Sequence, residues 1–507
     1  MGANTFLLAQ PAATDADQEV LTRGPVHEAF AEAVTYDPEP GVVATKAPPD
    51  PIEEIPPEQR PEGTNVAWIP GYWAWDDDRD DFLWISGVWR SLPPGRQWVP
   101  GYWGKSDDGY QWTSGYWADA QENDVEYLPE PPDSVEAGPN VPSPSPDQIW
   151  LPGSWVWHDA RYAWRPGYWS PVQPSWVWVP AHYIWTPRGF IFVHGYWDYV
   201  IDRRGVLFAP VYFSGRVFAR PGFFYSPSIV IAPGVFVDHL FLRPRYCHYY
   251  FGDYYAASYR GAGFVPWFAI NTGRLGYDPI FAHNCWLHRS DADWAHGQQI
   301  AFEHRRDHED ARPPHTWAIQ KTLDIHKMPE GAKHIPLALS LDDLNKAKDN
   351  SLKLKTIDMA ERKQLSQHGL DVQKFREERQ KLEIKSLTLP GQTQTTTLKT
   401  TKATLPKTTI VAKPFAELNK DFTPPKTFQG PKLDLNVEPK PRIKKTIDTT
   451  LQHNLGGQKL DASGGKLQQL PKIERKTFDA GADSKNKGTG GLKLDQQRKR
   501  DKDKDKK

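Results

Sequence analysis

A single aromatic motif, Trp-x-x-Gly-x-Trp, recurs along the first half of this chain at a near-constant spacing. Six copies are intact: Trp68–Gly71–Trp73, Trp84–Gly87–Trp89, Trp98–Gly101–Trp103, Trp112–Gly115–Trp117, Trp150–Gly153–Trp155 and Trp164–Gly167–Trp169. Two more are degenerate: Trp178–Ala181–Tyr183 and Phe192–Gly195–Trp197. First aromatic to first aromatic, the steps are 16, 14 and 14 in one array and 14, 14 and 14 in the next. A unit this small cannot bury its own apolar face, so it must pack on its neighbours. The period therefore constrains architecture and leaves chemistry open.

Within the arrays, aromatics alternate two residues apart, as in Trp73/Trp75, Phe82/Trp84, Trp155/Trp157 and Tyr162/Trp164. That spacing puts both rings on one face of a strand. Asp- and Gly-rich turn signals fall between, for example Ser106–Gly109 and His158–Ala160. The expected fold is all-β, an antiparallel meander of short Trp-rich hairpins. Trp103 and Trp112 are equidistant from Asp107-Asp108, and Trp155 and Trp164 from Asp159-Ala160. With turns centred there, each Trp couple becomes a cross-strand pair. Pro-Gly within the motif has two readings, a second tight turn or a bulge in a longer strand. The poor fit of type II turns to hairpins favours the bulge.

These copies resemble the WXXGXW (YXWGXW) repeat proteins, bacterial proteins of unassigned function familiar from planctomycetes. The resemblance covers residues 64–118 and 148–197 and is extended by the aromatic block Arg243–Tyr255. It implies a repeat architecture and transfers no catalytic residues.

Composition divides the rest. All 22 Trp lie between Trp68 and Trp317, whereas residues 321–507 carry 40 Lys+Arg against 24 Asp+Glu. The net charge of −1 thus cancels a basic end, about +16, against an acidic body, about −17. Such a basic end is either an interaction tail or a segment solvated along its own acidic body. The resulting division is a lead, short helix (Pro25–Val34) and Pro/Glu-rich linker over 1–63, arrays over 64–118 and 148–204, and a second linker over 119–147. An aromatic β-rich closing module over 205–289 precedes a helical segment over 290–320. A partly helical region over 321–387, with helices near Ile357–Gln367 and Val372–Leu387, leads to a disordered Lys-rich tail over 388–507. Met1–Ala13 lacks the charged region and full apolar core of a secretory signal but resembles its cleavage end. A late start site and a short disordered lead both fit.

Chemistry-bearing motifs are sparse. Cys247 and Cys285 allow one disulfide. His283, Cys285, His288, His304 and His308 include zinc-ligand types, but the charged neighbours Arg305–Asp307 fit a merely polar helix, and no metal site is assigned. No nucleophile elbow, P-loop or dinucleotide fingerprint is present, no cofactor is expected, and no apolar run reaches membrane-spanning length. The expectation is a non-enzymatic structural or adhesive protein of the cell envelope, its partners an envelope polysaccharide or another envelope protein. Two alternatives stand beside it: a cytoplasmic scaffold binding nucleic acid or another polyanion through residues 388–507, and a carbohydrate-binding module using exposed Trp.

Overall fold

The computed structural model describes residues 17–214, 217–271, 275–323, 336–347, 352–384, 400–418 and 431–440, and two short strands, Gln458–Lys459 and Gln468–Gln469. The lead Met1–Ala13 and most of the Lys-rich tail lie outside the described residues.

Each pair of motif copies forms one hairpin. In the first, Val66–Ile69 pairs with Val88–Ser91, and Tyr72–Asp76 pairs with Asp81–Ile85. The second joins Arg96–Val99 to Tyr116–Asp119 and Tyr102–Ser106 to Gly109–Thr113. The third joins Gln148–Leu151 to Tyr168–Pro171 and Ser154–His158 to Arg161–Arg165. In the fourth, Trp176–Val179 meets Tyr196–Tyr199 and His182–Thr186 meets Gly189–Val193. The turns explain the register: Asp159 and Ala160 both take positive φ, 49° and 57°, the left-handed geometry of a two-residue hairpin turn.

Neither reading of Pro-Gly survives intact. The arms run on past it, so it is not a reversing turn. Pro70-Gly71 faces Ser86-Gly87, two unpaired residues on each strand, so there is no extra residue of the kind that defines a bulge. Both strands break at one level and the hairpin is creased. The pairing is antiparallel throughout the arrays, in several small sheets rather than one continuous meander.

The closing module is tied back to the first hairpin. Gly205–Leu207 pairs with Val88–Arg90, and Val211–Phe213 lies between Gln18–Val20 and Trp84. Its hairpin Leu240–Arg243/His248–Phe251 is joined by Gly24–Pro25 and Val265–Pro266. Helices follow at Pro279–Leu287 and Trp294–Asp307, the second inside the helical segment expected over 290–320. No described helix is long and apolar enough to cross a membrane.

Four further expectations need correction. Pro25–Val34 is not a helix but an irregular buried segment, with Val26, Ala29, Phe30 and Ala33 in the core. Its helix propensity is overridden by tertiary contacts of two glutamates described below. The Pro/Glu-rich stretches are ordered straps rather than linkers: Ile52, Ile55 and the carboxylates of Glu54 and Glu136 are buried. Described parts of the basic end pair with the body. Ala338–Ser340, Leu354–Thr356 and Thr401–Thr404 pair with Ile229–Ile231, Gln59–Pro61 and Asp124–Tyr127. A single helix, Met359–Ile384, replaces the two expected and buries Val372, Phe375 and Arg379.

Candidate functional site

Every crease is flanked by tilted or edge-on aromatic pairs. Trp68/Trp89, Trp73/Trp84, Trp98/Trp117, Trp103/Trp112, Trp150/Trp169, Trp155/Trp164, Trp178/Trp197 and Tyr183/Phe192 face one another, with ring centroids 5.1–5.6 Å apart. The two pairs expected from turn symmetry, Trp103/Trp112 and Trp155/Trp164, stand in the register. Tilted and edge-on rings at this separation contribute about 0.5–1.5 kcal/mol per pair beyond area burial. None of the 22 Trp is exposed, so the rings form the core of the hairpins.

The motif glycine has a steric cause. None of the seven motif glycines takes a positive φ. Instead the first Trp of one copy lies over the glycine of its partner copy. A Cβ on Gly101 would stand 2.5 Å from Trp112 Cζ2, and one on Gly115 2.6 Å from Trp98 Cζ2. The departures in the last hairpin match this rule: Ala181 replaces glycine where the opposing first aromatic is Phe192 instead of Trp.

A crease leaves backbone N–H and C=O groups without ladder partners, and buried ones must be satisfied elsewhere. In each hairpin a buried glutamate from outside the motif occupies the position. Glu54 accepts from Gly71 N (2.8 Å), Gly87 N (2.9 Å) and Trp84 Nε1 (3.2 Å). Glu28 accepts from Trp112 Nε1 (2.8 Å) and Gly115 N (2.9 Å). Glu136 accepts from Trp150 Nε1 (3.1 Å) and from Gly153 N. In the divergent fourth hairpin, Glu32 instead meets His182 Nε2 (3.0 Å) and accepts from Tyr196 Oη (2.6 Å). Cations take the carbonyl side. Arg379 donates to Pro100 O (2.9 Å) and Ser114 O (3.0 Å), Arg96 to Gly195 O (2.9 Å), and Arg376 to Gly71 O (3.3 Å).

Burial sets the electrostatics. It pushes Glu54 up to about 7, against the downward pull of its three N–H donors. Burial also acts upward on Glu28, but His248, Trp112 and Gly115 outweigh it and hold that carboxyl below its ordinary value. The His248 Nδ1 lies 3.4 Å from Glu28. Burial lowers His27 to about 3. Arg379 and Glu383, both fully buried, pair at 3.0 Å across one helical turn.

The remaining sequence candidates do not converge. Cys247 and Cys285, which by number allow one disulfide, are not bonded to each other here: the Cys247 thiol lies 2.9 Å from Thr35 Oγ1, while Cys285 is buried on the Pro279–Leu287 helix. His304 and His308 stack edge-on at 4.4 Å, and His288 stacks on Trp294. Among the described residues no group of three or more His, Cys, Asp or Glu could hold a metal. The crease glutamates escaped sequence reasoning, although a signal existed: Glu54 precedes Gly71 by 17 residues, and Glu136 precedes Gly153 by 17.

The family model of the WXXGXW repeat matches residues 63–90 and 146–170. The chain carries the WXXGXW repeat. Those matches coincide with the first and third hairpins, the two preceded by their own glutamate strap. The second and fourth WXXGXW hairpins lie outside the matched residues and share the same paired, creased geometry. No curated protein and no solved structure matches the chain.

Proposed function

We propose that this chain is a non-enzymatic structural scaffold of the cell envelope. The observation that carries the structural reading is the internal use of its recognition chemistry. All Trp rings are at least half-buried, and crease donors that could grip a ligand are taken by the chain's own glutamates. A protein organised in this way presents surfaces and spacing rather than reacting groups. The alternative, a cytoplasmic scaffold holding nucleic acid through residues 388–507, competes with the pairing of Thr401–Thr404 to the body within that segment.

Fractionation of source cells, with the full chain followed through a salt series, separates the two. Retention in the envelope fraction is the expected result. A cytoplasmic pool that binds DNA, loses it with rising salt, and needs residues 388–507 to do so would replace the envelope reading.

A further inference from the structure

Where the second, third and fourth hairpins converge on the 119–128 connection, a cleft of about 810 Å³ opens. That size falls in the range of roughly 300–1,000 Å³ typical of small-molecule sites. Its aromatic lining comprises Trp157 of the third hairpin and Phe192 of the fourth, both only half-buried, together with the buried Tyr116 and the exposed imidazole of His194. The connection contributes the carboxylates Asp119, Glu122, Asp124 and Glu126, and between them the amides of Gln121 and Asn123.

Charge narrows the ligand. Four carboxylates face two cations, Arg96 and Lys402. Arg96 is already engaged: it donates to the Gly195 carbonyl, and its guanidinium lies over the Tyr196 ring at 5.0 Å. An acidic rim of this kind repels polyanions, and base stacking on nucleic acid needs a basic groove. Half-exposed aromatic plates beside planar acceptors and amides suit a different chemistry. The plates take the C–H face of a pyranose ring, while carboxylate and amide oxygens accept from its hydroxyls.

We infer that this cleft binds a neutral or amino-bearing oligosaccharide. The inference goes beyond the scaffold reading and gives one surface of the scaffold a ligand. Trp157 and Phe192 stack on the sugar, and the 119–126 acids read hydroxyl or ammonium groups.

The test is calorimetric titration of the full chain with four probes. These are tetramers of β-1,4-linked N-acetylglucosamine, glucosamine and glucose, with polygalacturonate as the anionic control. Saturable binding of at least one of the first three is expected, weakened roughly tenfold, or about 1.4 kcal/mol, by Trp157→Ala. Because Trp157 also packs on Tyr162 (4.9 Å), a second variant, Gln121→Ala with Glu122→Gln, changes only exposed rim side chains and must weaken the same titration. Equal affinity for neutral and amino tetramers means hydroxyl recognition, and preference for glucosamine means that the rim acids read its charge; both support the site. Failure of all three sugars at millimolar concentration overturns it. So does binding that both variants leave unchanged, or a preference for polygalacturonate. The fractionation above does not depend on this result, so either reading can fail alone.

Discussion

Replacing Glu54 by alanine isolates the crease carboxylate from everything else in the motif. Three buried donors, Gly71 N, Gly87 N and Trp84 Nε1, lose their acceptor. At about 1–3 kcal/mol for each unsatisfied group, the loss is roughly 3–9 kcal/mol before relaxation. An opposing term comes from the charge. Burial pushes Glu54 from 4.5 up to about 7, so holding it ionised costs about 3 kcal/mol above that pH. The net loss above pH 7 is then about 0–6 kcal/mol, with water entry trimming the upper end. The sign of the pH effect follows from linkage. A carboxyl raised in the folded state binds its proton more tightly there, so its contribution is largest at low pH and declines as pH rises from 4.5 to about 7. The destabilisation by Glu54→Ala is therefore larger at pH 5 than at pH 8. Glu54→Gln, which keeps one acceptor oxygen and no charge, costs less than alanine and removes that pH dependence. Urea unfolding followed by Trp fluorescence at both pH values, with exchange of the Gly71 and Gly87 amides, measures each quantity. The exposed neighbour Glu53→Ala is the control. If Glu54→Ala costs no more than Glu53→Ala, the crease does not need its carboxylate. If its cost is larger at pH 8, the N–H donors outweigh burial and the direction assigned to Glu54 is wrong.

Three further outcomes are expected. A double-mutant cycle on Trp103 and Trp112, 5.4 Å apart across the second hairpin, should give a coupling of about 0.5–1.5 kcal/mol in unfolding free energy; strict additivity would show that the rings do not interact. Arg379→Ala should destabilise by about 3–5 kcal/mol in the same assay, because it strands Glu383 in a fully buried site. A change below 1 kcal/mol, the scale of a surface pair, would show that the Met359–Ile384 helix is not seated on the hairpins in solution. Both thiols should be titratable in the denatured chain without prior reduction, and reductant should leave the melting midpoint unchanged; a midpoint that falls on reduction would restore the disulfide.

The hairpin register was legible because turn and ring are local. Asp159-Ala160 sits midway between two Trp, and a two-residue turn fixes what lies opposite what. The crease was half legible: glycine announced an irregular strand, but its symmetry depends on which copy faces which. The segments without apolar periodicity were misjudged for one shared reason. Composition measures the capacity to bury apolar surface, and the straps are held by other means. Asp50 O accepts from Trp73 Nε1 (3.0 Å), Asp133 O from Trp155 Nε1 (2.9 Å), and Pro129 O from Tyr162 Oη (2.5 Å). An extended Pro-rich backbone offers such carbonyls because it does not use them internally. Likewise Arg379 and Glu383 read as solvated charge on a helix face until the carbonyls of Pro100 and Ser114 are seen beneath them.

The glutamates also reveal a larger repeat than the motif. Glu54 and Glu136 are 82 residues apart, as are Trp68 and Trp150, while Trp98 and Trp178 are 80 apart. The unit that recurs is thus strap, hairpin, hairpin. In each unit the strap serves the first hairpin, and the second follows too closely to have a strap of its own. Its carboxylate must come from elsewhere, and both come from one place: Glu28 reaches the second hairpin and Glu32 the fourth. They stand four residues apart in the segment whose helix propensity goes unused. Remaining irregular lets that segment present one carboxylate to each unit, with Phe30 and Ala31 buried between them. Two duplicated units are thereby closed by a single short stretch of chain, which is why an acidic segment with few large apolar residues lies in the core of the protein.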